Sequence, residues 1–190
     1  MALLTSSYLK NVYNSNLTSL NESVQTRNFS ASITSSFDIF LSHSFLDRDE
    51  VLGLYKELTN RGFSVYVDWI VDPQLDRSQV TKESASLIRA RMKASKTLLL
   101  AVSHNAAVSK WMPWELGHVD GDKGFCAITP ISRDNQTRSS YSGYEYLSLY
   151  PYTTLQDDSN GNSRLWIFEQ DGGYITLEDW VRHGSKPYRR

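Results

Sequence analysis

Short apolar runs alternate with amphipathic segments between residues 37 and 132. Phe37 to Ser42 alternates in hydrophobicity and predicts a first strand. Apolar residues at helical spacing then predict a helix from Arg48 to about Asn60. Asp47 and Glu50 stand three apart at its start, which predicts a capping box.

A second strand is predicted from Phe63 to Val67, with Asp68 and Trp69 at its carboxyl end. After a loop marked by Pro73, the spacing predicts a helix from about Gln79 to Ala94. Its carboxyl half carries basic residues, which we interpret as a solvated face: Arg89, Arg91, Lys93 and Lys96.

Thr97 to Val102 is almost entirely apolar, as expected for a central parallel strand covered on both faces. A helix is predicted from Trp111 to Asp120, closed by Gly121, followed by a strand from Phe125 to Ile131. Strands and helices in this order predict a doubly wound, flavodoxin-like α/β fold with a mostly parallel sheet, whose strand carboxyl ends and loops share one edge.

The flanking regions predict additions to this domain. Residues 1–36 are rich in Ser, Asn and Thr and are interpreted as a partly ordered leader. Its scattered Leu, Val and Tyr residues are compatible with a short docked helix around 7–20 or with an unordered tail. Residues 37–132 form the predicted core, and residues 133–190 a C-terminal appendage packed on it. The appendage is predicted to contain a hairpin of 165–168 with 174–177 and then a short helix with Thr176 and Asp179 at capping spacing.

Composition narrows the possible partners and location. The 190 residues fit one domain, and 20 Lys and Arg against 21 Asp and Glu give a net charge of -1, which does not favour nucleic acid or an acidic membrane as partners. Cys126 is the single cysteine, so an intramolecular disulfide and a cysteine metal site are excluded. With no signal-peptide pattern and no membrane-length apolar run, we expect a cytoplasmic protein.

Common catalytic motifs are missing from the sequence. Neither a Gly-x-Gly-x-x-Gly dinucleotide fingerprint nor a P-loop occurs, and the four histidines show no ligand spacing, so no metal is expected. Polar and aromatic residues do collect at the predicted carboxyl edge of the sheet. They are Ser42, His43, Ser44 and Phe45 after the first strand, Asp68 and Trp69 after the second, Ser103 after the third, and Trp111 and Glu115 on the following helix.

Three ordered segments resemble the TIR domain family. FDIFLSHSFLDRDEV resembles its opening, FSVYVDW with the Pro-containing loop resembles its second strand and mobile loop, and TLLLAVSHNAAVSKWMPWEL resembles its third strand, Ser-x-Trp box and Glu-Leu. The resemblance covers about half of the chain and ends near Ile131. Gln74 and Met112 depart from residues common in the family, which bears on adaptor-type loop contacts more than on the carboxylate.

The resemblance implies an NAD+-cleaving site. Glu115 matches the catalytic glutamate four residues after the family's tryptophan, here Trp111, and the first loop with His43 and Ser44 matches the loop that contacts the nucleotide. Phe45, Asp68 and Trp69 complete the expected substrate-binding set. NAD+ enters as substrate, and no cofactor is expected.

A lone carboxylate suits this reaction because nicotinamide is a cationic leaving group that departs neutral and needs no general acid. One anion can stabilise the positive charge that develops on the ribose. Each residue has a plainer interpretation: a solvated helix carboxylate for Glu115, core packing for Trp111, a turn for Asp68 and an ordinary loop histidine for His43. The sequence leaves open whether water or an internal nucleophile traps the sugar cation.

Among TIR proteins the chain is most similar to the TIR subunits of bacterial Thoeris anti-phage systems. That resemblance implies a glycohydrolase or cyclase that makes a cyclic ADP-ribose-type messenger for a separate effector protein, with self-association through TIR surfaces. The alternative is a non-enzymatic interaction module, in which the loop from Asp68 to Arg77 matters and Glu115 is dispensable.

Overall fold

The computed structural model describes residues 2–15, 35–133, 140–141, 143 and 145–188, and within them one sheet of eight strands organises the chain. The strands, in chain order, are β1 Leu4–Thr5, β2 Phe37–Ser42, β3 Val65–Tyr66, β4 Ser95–Val102, β5 Cys126–Ser132, β6 Tyr152–Asp157, β7 Ser163–Phe168 and β8 Tyr174–Thr176. The helices are α1 Ser6–Asn14, α2 Arg48–Asn60, α3 Asp68–Val71, α4 Lys82–Lys93, α5 Trp111–Lys123 and α6 Leu177–His183.

The sheet is mainly parallel. Its strand order is β3-β2-β4-β5-β6-β7-β8, with β1 also paired to β5. Pairing is parallel from β3 through β6, and β6, β7 and β8 form an antiparallel meander. The predicted doubly wound α/β fold of the TIR type, with a C-terminal hairpin and helix, is confirmed.

Helices cover both faces of the parallel strands. One core cluster packs α1, α2 and α6 against residues such as Ile39 and Leu99, and the other packs α4 and α5 against residues such as Phe40 and Leu98. Because successive residues of β4 enter opposite clusters, the strand must be apolar on both sides, as its sequence indicated.

Two predicted elements match the structure closely, although one predicted cap does not form. β2 and α2 have the expected bounds. The capping box at Asp47 and Glu50 is wrong, because the Asp47 side chain makes no capping hydrogen bond. Asp47 instead accepts hydrogen bonds from the side chains of Ser103 and Asn105, at the end of β4.

The predictions for α4 and α5 need two corrections. Arg91 does not belong to a solvated face: it is buried, and its guanidinium donates to both carboxylate oxygens of Asp72, at 2.7 and 2.9 Å. Helix α5 continues through Gly121 to Lys123, and its C-cap is Gly124, which adopts the left-handed conformation with φ 60°. A glycine suits that position because it has no Cβ to clash there.

The terminal regions add to the sheet. The short helix predicted around 7–20 is present as α1, and residues 16–20 lie outside the described part of the chain. The C-terminal hairpin is confirmed as β7 and β8, and the Thr176 side chain caps α6 by accepting from Asp179 N. Strand β6 was not predicted from the sequence. The helices in the described ranges are all too short or too polar to span a lipid bilayer.

Candidate active site

A cavity of about 570 Å³ opens at the carboxyl edge of the parallel strands. Its wall draws on the loop after β2, on α3 and the loop before α4, and on the start of α5. All six residues predicted to contact substrate line it: His43, Ser44, Phe45, Asp68, Trp69 and Trp111. The parallel topology brings them together because every loop involved follows a strand at the same edge of the sheet.

Glu115 lies beneath this cavity in the first turns of α5, with none of its surface exposed. Ser42 at the end of β2 donates its hydroxyl to Glu115 Oε2 at 2.5 Å, and the guanidinium of Arg77 donates to Oε1. Burial raises the pKa of Glu115 above the ordinary glutamate value, although Arg77 and Ser42 oppose that rise. A buried, hydrogen-bonded carboxylate is not the solvated helix residue of the plainer interpretation.

Asp68 shares the same arginine. Arg77 Nη1 donates to Asp68 Oδ2 at 2.7 Å, so one guanidinium bridges two buried carboxylates. Burial alone would raise the pKa of Asp68, but the neighbouring His43 and Arg77 more than offset it and hold the pKa well below its usual range. Asp68 Oδ1 also accepts from its neighbour Trp69 N at 2.7 Å, which supports the turn at the start of α3.

His43 is a buried residue with both ring nitrogens engaged. Nδ1 lies 2.8 Å from the Leu41 carbonyl oxygen and donates to it, while Nε2 accepts the indole N–H of Trp69 at 2.9 Å. Nε2 also lies 3.3 Å from Asp68 Oδ1. His43 orients Trp69 at the cavity wall.

Trp111 both packs and lines the cavity. Its ring is partly buried against the second core cluster and stands edge-on to Trp114, with the centroids 5.4 Å apart. Its indole N–H donates to the backbone carbonyl of Arg77 at 2.9 Å, which ties α5 to the loop before α4. For Trp111, packing against the core and a place in the cavity wall are therefore compatible.

The mouth of the cavity is apolar. Ser44 caps a 3-10 turn at Phe45–Asp47, accepting from Leu46 N at 3.4 Å, and this turn presents Phe45 and Leu46 to solvent. Of the described residues that line the cavity, four apolar ones are well exposed, and we refer to them as the apolar rim: Phe45 (68%), Leu46 (65%), Val80 (71%) and Val108 (67%).

Sequence reasoning missed Arg77 as part of the site and gave Ser42 no partner. Arg77 lies in a loop without periodicity, 38 positions before Glu115. No sequence pattern therefore links the two residues. Ser42 is the last residue of an alternating strand. Its position at the edge shared by the strand ends was the feature of the sequence that could have indicated a contact with the site. No group of three or more His, Cys, Asp or Glu side chains in the described part of the chain is arranged to hold a metal ion.

The sequence is similar to that of known proteins along most of its length. The family model described as TIR domain, TIR_2, matches residues 39–165. The chain belongs to the TIR domain family. The match runs well past Ile131, so the sequence-based limit of the resemblance there is wrong. It includes all of β6 and the first half of β7, the strands that extend the sheet beyond β5.

Two relatives of this TIR chain bear functional names. It is 46% identical over 147 residues, 77% of this chain and 76% of the relative, to the "Probable 3' cyclic ADP-D-ribose synthase ThsB'" of Bacillus cereus (strain MSX-D12). It is 28% identical over 121 residues to the "Putative cyclic ADP-D-ribose synthase TIR2" of Cytobacillus dafuensis, a match that spans 56% of this chain and 32% of that protein.

Proposed function

We propose that this TIR protein cleaves NAD+ and makes a cyclic ADP-ribose in bacterial anti-phage defence. The observation that carries the proposal is Glu115, a fully buried carboxylate beneath a cavity walled by Trp69 and Trp111. The 46% identity to a probable 3′ cyclic ADP-D-ribose synthase supports the same substrate and product class.

The proposed chemistry begins at the bond between nicotinamide and ribose. That bond breaks, its electron pair leaves with nicotinamide, and the ribose becomes an oxocarbenium cation. The carboxylate of Glu115 stabilises this cation electrostatically, and its full burial strengthens that interaction. Ser42 holds the carboxylate by its other oxygen, Oε2, so that Oε1 is the oxygen directed at the substrate.

A nucleophile then completes the reaction by attacking the ribose cation. Attack by a hydroxyl of the same molecule forms a ring and releases a proton, whereas attack by water gives linear ADP-ribose and a proton. We expect cyclisation to dominate, because both named relatives are described as cyclic ADP-D-ribose synthases. The indoles of Trp69 and Trp111 favour it physically by limiting water around the cation.

The decisive experiment incubates purified protein with NAD+ and quantifies nicotinamide, linear ADP-ribose and cyclic products by mass spectrometry. Glu115→Gln keeps the side-chain volume and a hydrogen-bonding oxygen but removes the charge, so we expect nicotinamide release to fall about 100- to 1000-fold. The matched control, Glu83→Gln, changes an exposed carboxylate in the first turn of α4 and should retain wild-type turnover. Undiminished release by a folded Glu115→Gln variant would assign the catalytic role elsewhere.

The proposal extends to the cellular setting. The cyclic product acts as a messenger for a separate effector protein, and the enzyme works in the cytoplasm without a metal or bound cofactor. Self-association through the apolar rim is part of the same proposal, supported by the exposure of its four side chains around the cavity mouth. A scaffold without enzymatic activity would need no buried carboxylate beneath that cavity.

A further inference from the structure

Arg77 separates Glu115 from the cavity. Among the described residues that line the cavity Arg77 is present and Glu115 is not. The carboxylate is within hydrogen-bond reach of Ser42 on one oxygen and Arg77 on the other. A ribose hydroxyl in the cavity therefore meets the guanidinium before it can meet the carboxylate.

We propose that Arg77 is a charged latch, a guanidinium that occupies the place of the substrate's cationic centre and must leave Glu115 before NAD+ can react. This inference rests on the proposed function for its substrate. Its geometry, a guanidinium bridging Asp68 and Glu115, is independent of that function.

The charges favour an exchange of cations. A guanidinium that binds two carboxylates through its fork of N–H donors offsets one of the two negative charges buried at this site. Nicotinamide riboside carries one positive charge, and the charge passes to the ribose as the bond breaks. Arg77 and the reacting substrate therefore compete for Glu115, and a site without either cation is disfavoured because its carboxylates lie unpaired in a low dielectric.

The loop that carries Arg77 is fixed at both ends and exposed between them. At one end, Asp72 is buried in hydrogen bonds with Tyr66 and Arg91. At the other, Thr81 and Ser84 form a reciprocal capping box at the start of α4. We refer to residues 73–81 as the latch loop.

The latch loop makes few other attachments at the site. Residues 73, 74, 76 and 78–81 are exposed, and the Trp111 indole N–H holds the backbone of Arg77 through its carbonyl. Release of the Arg77 guanidinium requires its two ion-pair contacts to open. The fixed ends and Leu75, which packs against the second core cluster, can keep their positions. Such a segment suits a local opening that leaves the core intact.

The test compares wild type with Arg77→Ala. If the latch restrains the enzyme, Arg77→Ala releases nicotinamide faster than wild type, by about tenfold, because the closed population no longer competes. Guanidinium ion, added well below the concentrations that unfold proteins, should then suppress the variant by refilling the vacated position, and should affect wild type less. Slower turnover by the folded Arg77→Ala variant would overturn the latch and make Arg77 a contributor to binding or catalysis.

Two further variants serve as controls for this test. Arg77→Lys keeps the charge but not the two-pronged fork, so we expect a rate between those of wild type and Arg77→Ala. Arg182→Ala removes an exposed arginine on α6, next to Phe63 and away from the cavity lining, and should match wild type with and without guanidinium. Circular dichroism checks that each variant is folded.

A readout without NAD+ separates failure of the latch from failure of the proposed function. Carbodiimide and an amine label accessible carboxyl groups, and peptide mass spectrometry locates the label. Glu115 should be protected in wild type and labelled in Arg77→Ala, even if neither protein turns over NAD+. Equal labelling of Glu115 in both proteins would refute the latch whatever the activity assay returns.

Discussion

At the scale of single residues, the site is a balance of buried charge. Asp68 and Glu115 share one arginine but respond to burial differently. The pKa of Asp68 is lowered, since His43 and Arg77 outweigh its burial, whereas the pKa of Glu115 is raised because its burial is complete. The fold therefore gains stability from ionised Asp68 and tolerates ionised Glu115, as expected of a site kept for function.

The contribution of ionised Asp68 to stability should depend on pH, and it can be measured as the difference between wild type and Asp68→Asn. Its folded-state pKa lies below the unfolded value of about 3.9, so its contribution is present above that value and is lost as pH falls through the folded pKa. We expect Asp68→Asn to lower the free energy of unfolding by about 3 kcal/mol near neutral pH, because Arg77 loses one of two buried partners. Urea titrations should show that deficit shrinking in acid.

The control for Asp68→Asn is Asp122→Asn, which changes an exposed carboxylate on α5 and should alter stability little at any pH. A deficit for Asp68→Asn that stays constant into acid would mean that packing, and not charge, accounts for the loss.

At the scale of elements, the N-terminal helix is built into the fold by a close contact. Gly53 of α2 faces Leu9 of α1, and a Cβ on Gly53 would lie 2.0 Å from the Leu9 carbonyl oxygen. Tyr8 reinforces the contact, since its hydroxyl donates to Glu57 at 3.1 Å, and Ser6 donates to Glu50 at 2.6 Å. The Leu, Val and Tyr residues scattered through residues 1–36 indicated a docked helix but not its contact with Gly53.

Gly53→Ala should therefore separate the two helices. A methyl group cannot fit against a backbone carbonyl without a shift of α1, so we expect a loss of unfolding free energy of about 2 kcal/mol or more, measured by chemical denaturation. Gly121→Ala is the matched control: it lies inside α5 with nothing within 4 Å of the added Cβ, and should stabilise by about 0.5–1 kcal/mol. Similar stability changes for the two variants would show that α1 is only loosely docked.

Helices and strands were predicted correctly where a single hydrophobic periodicity runs through the whole element. β2 and α2 have strict periodicity and appear with the expected bounds. The Asp47 and Glu50 capping pattern failed because tertiary partners, Ser103 and Asn105 for the first and Ser6 for the second, take both carboxylates. β6 was missed because its first three residues are buried while Gln156 and Asp157 face solvent, which gives no regular alternation.

At the scale of the whole molecule, the proposed self-association would use the cavity mouth. Its apolar rim combines four exposed apolar side chains from three separate loops. Clustered exposed apolar residues mark interaction surfaces, whereas isolated ones are ordinary. Assembly there would also shield the cavity from water.

A charge placed on the rim should weaken self-association. We expect Val80→Asp to raise the dissociation constant about tenfold or more, because an aspartate cannot be buried unpaired at an apolar contact. Leu149→Asp changes a residue that is equally exposed, at 77%, but lies outside the cavity lining, and should associate as wild type does. Sedimentation velocity over a concentration series measures both, and equal behaviour of the two variants would exclude the rim as the interface.

Except for the short helix α3, the sequence by itself determined the order of strands and helices from Phe37 to Ser132 and the edge at which Glu115 and its aromatic neighbours would meet. Periodicity fixes which face of each element is buried, and parallel pairing then gathers the loops. Only the tertiary structure decided that Arg77 covers Glu115, that Arg91 is buried on Asp72, and that α1 docks on Gly53. These contacts join residues 19 to 44 positions apart, and no local pattern records them because each depends on how the packed elements bring distant side chains together.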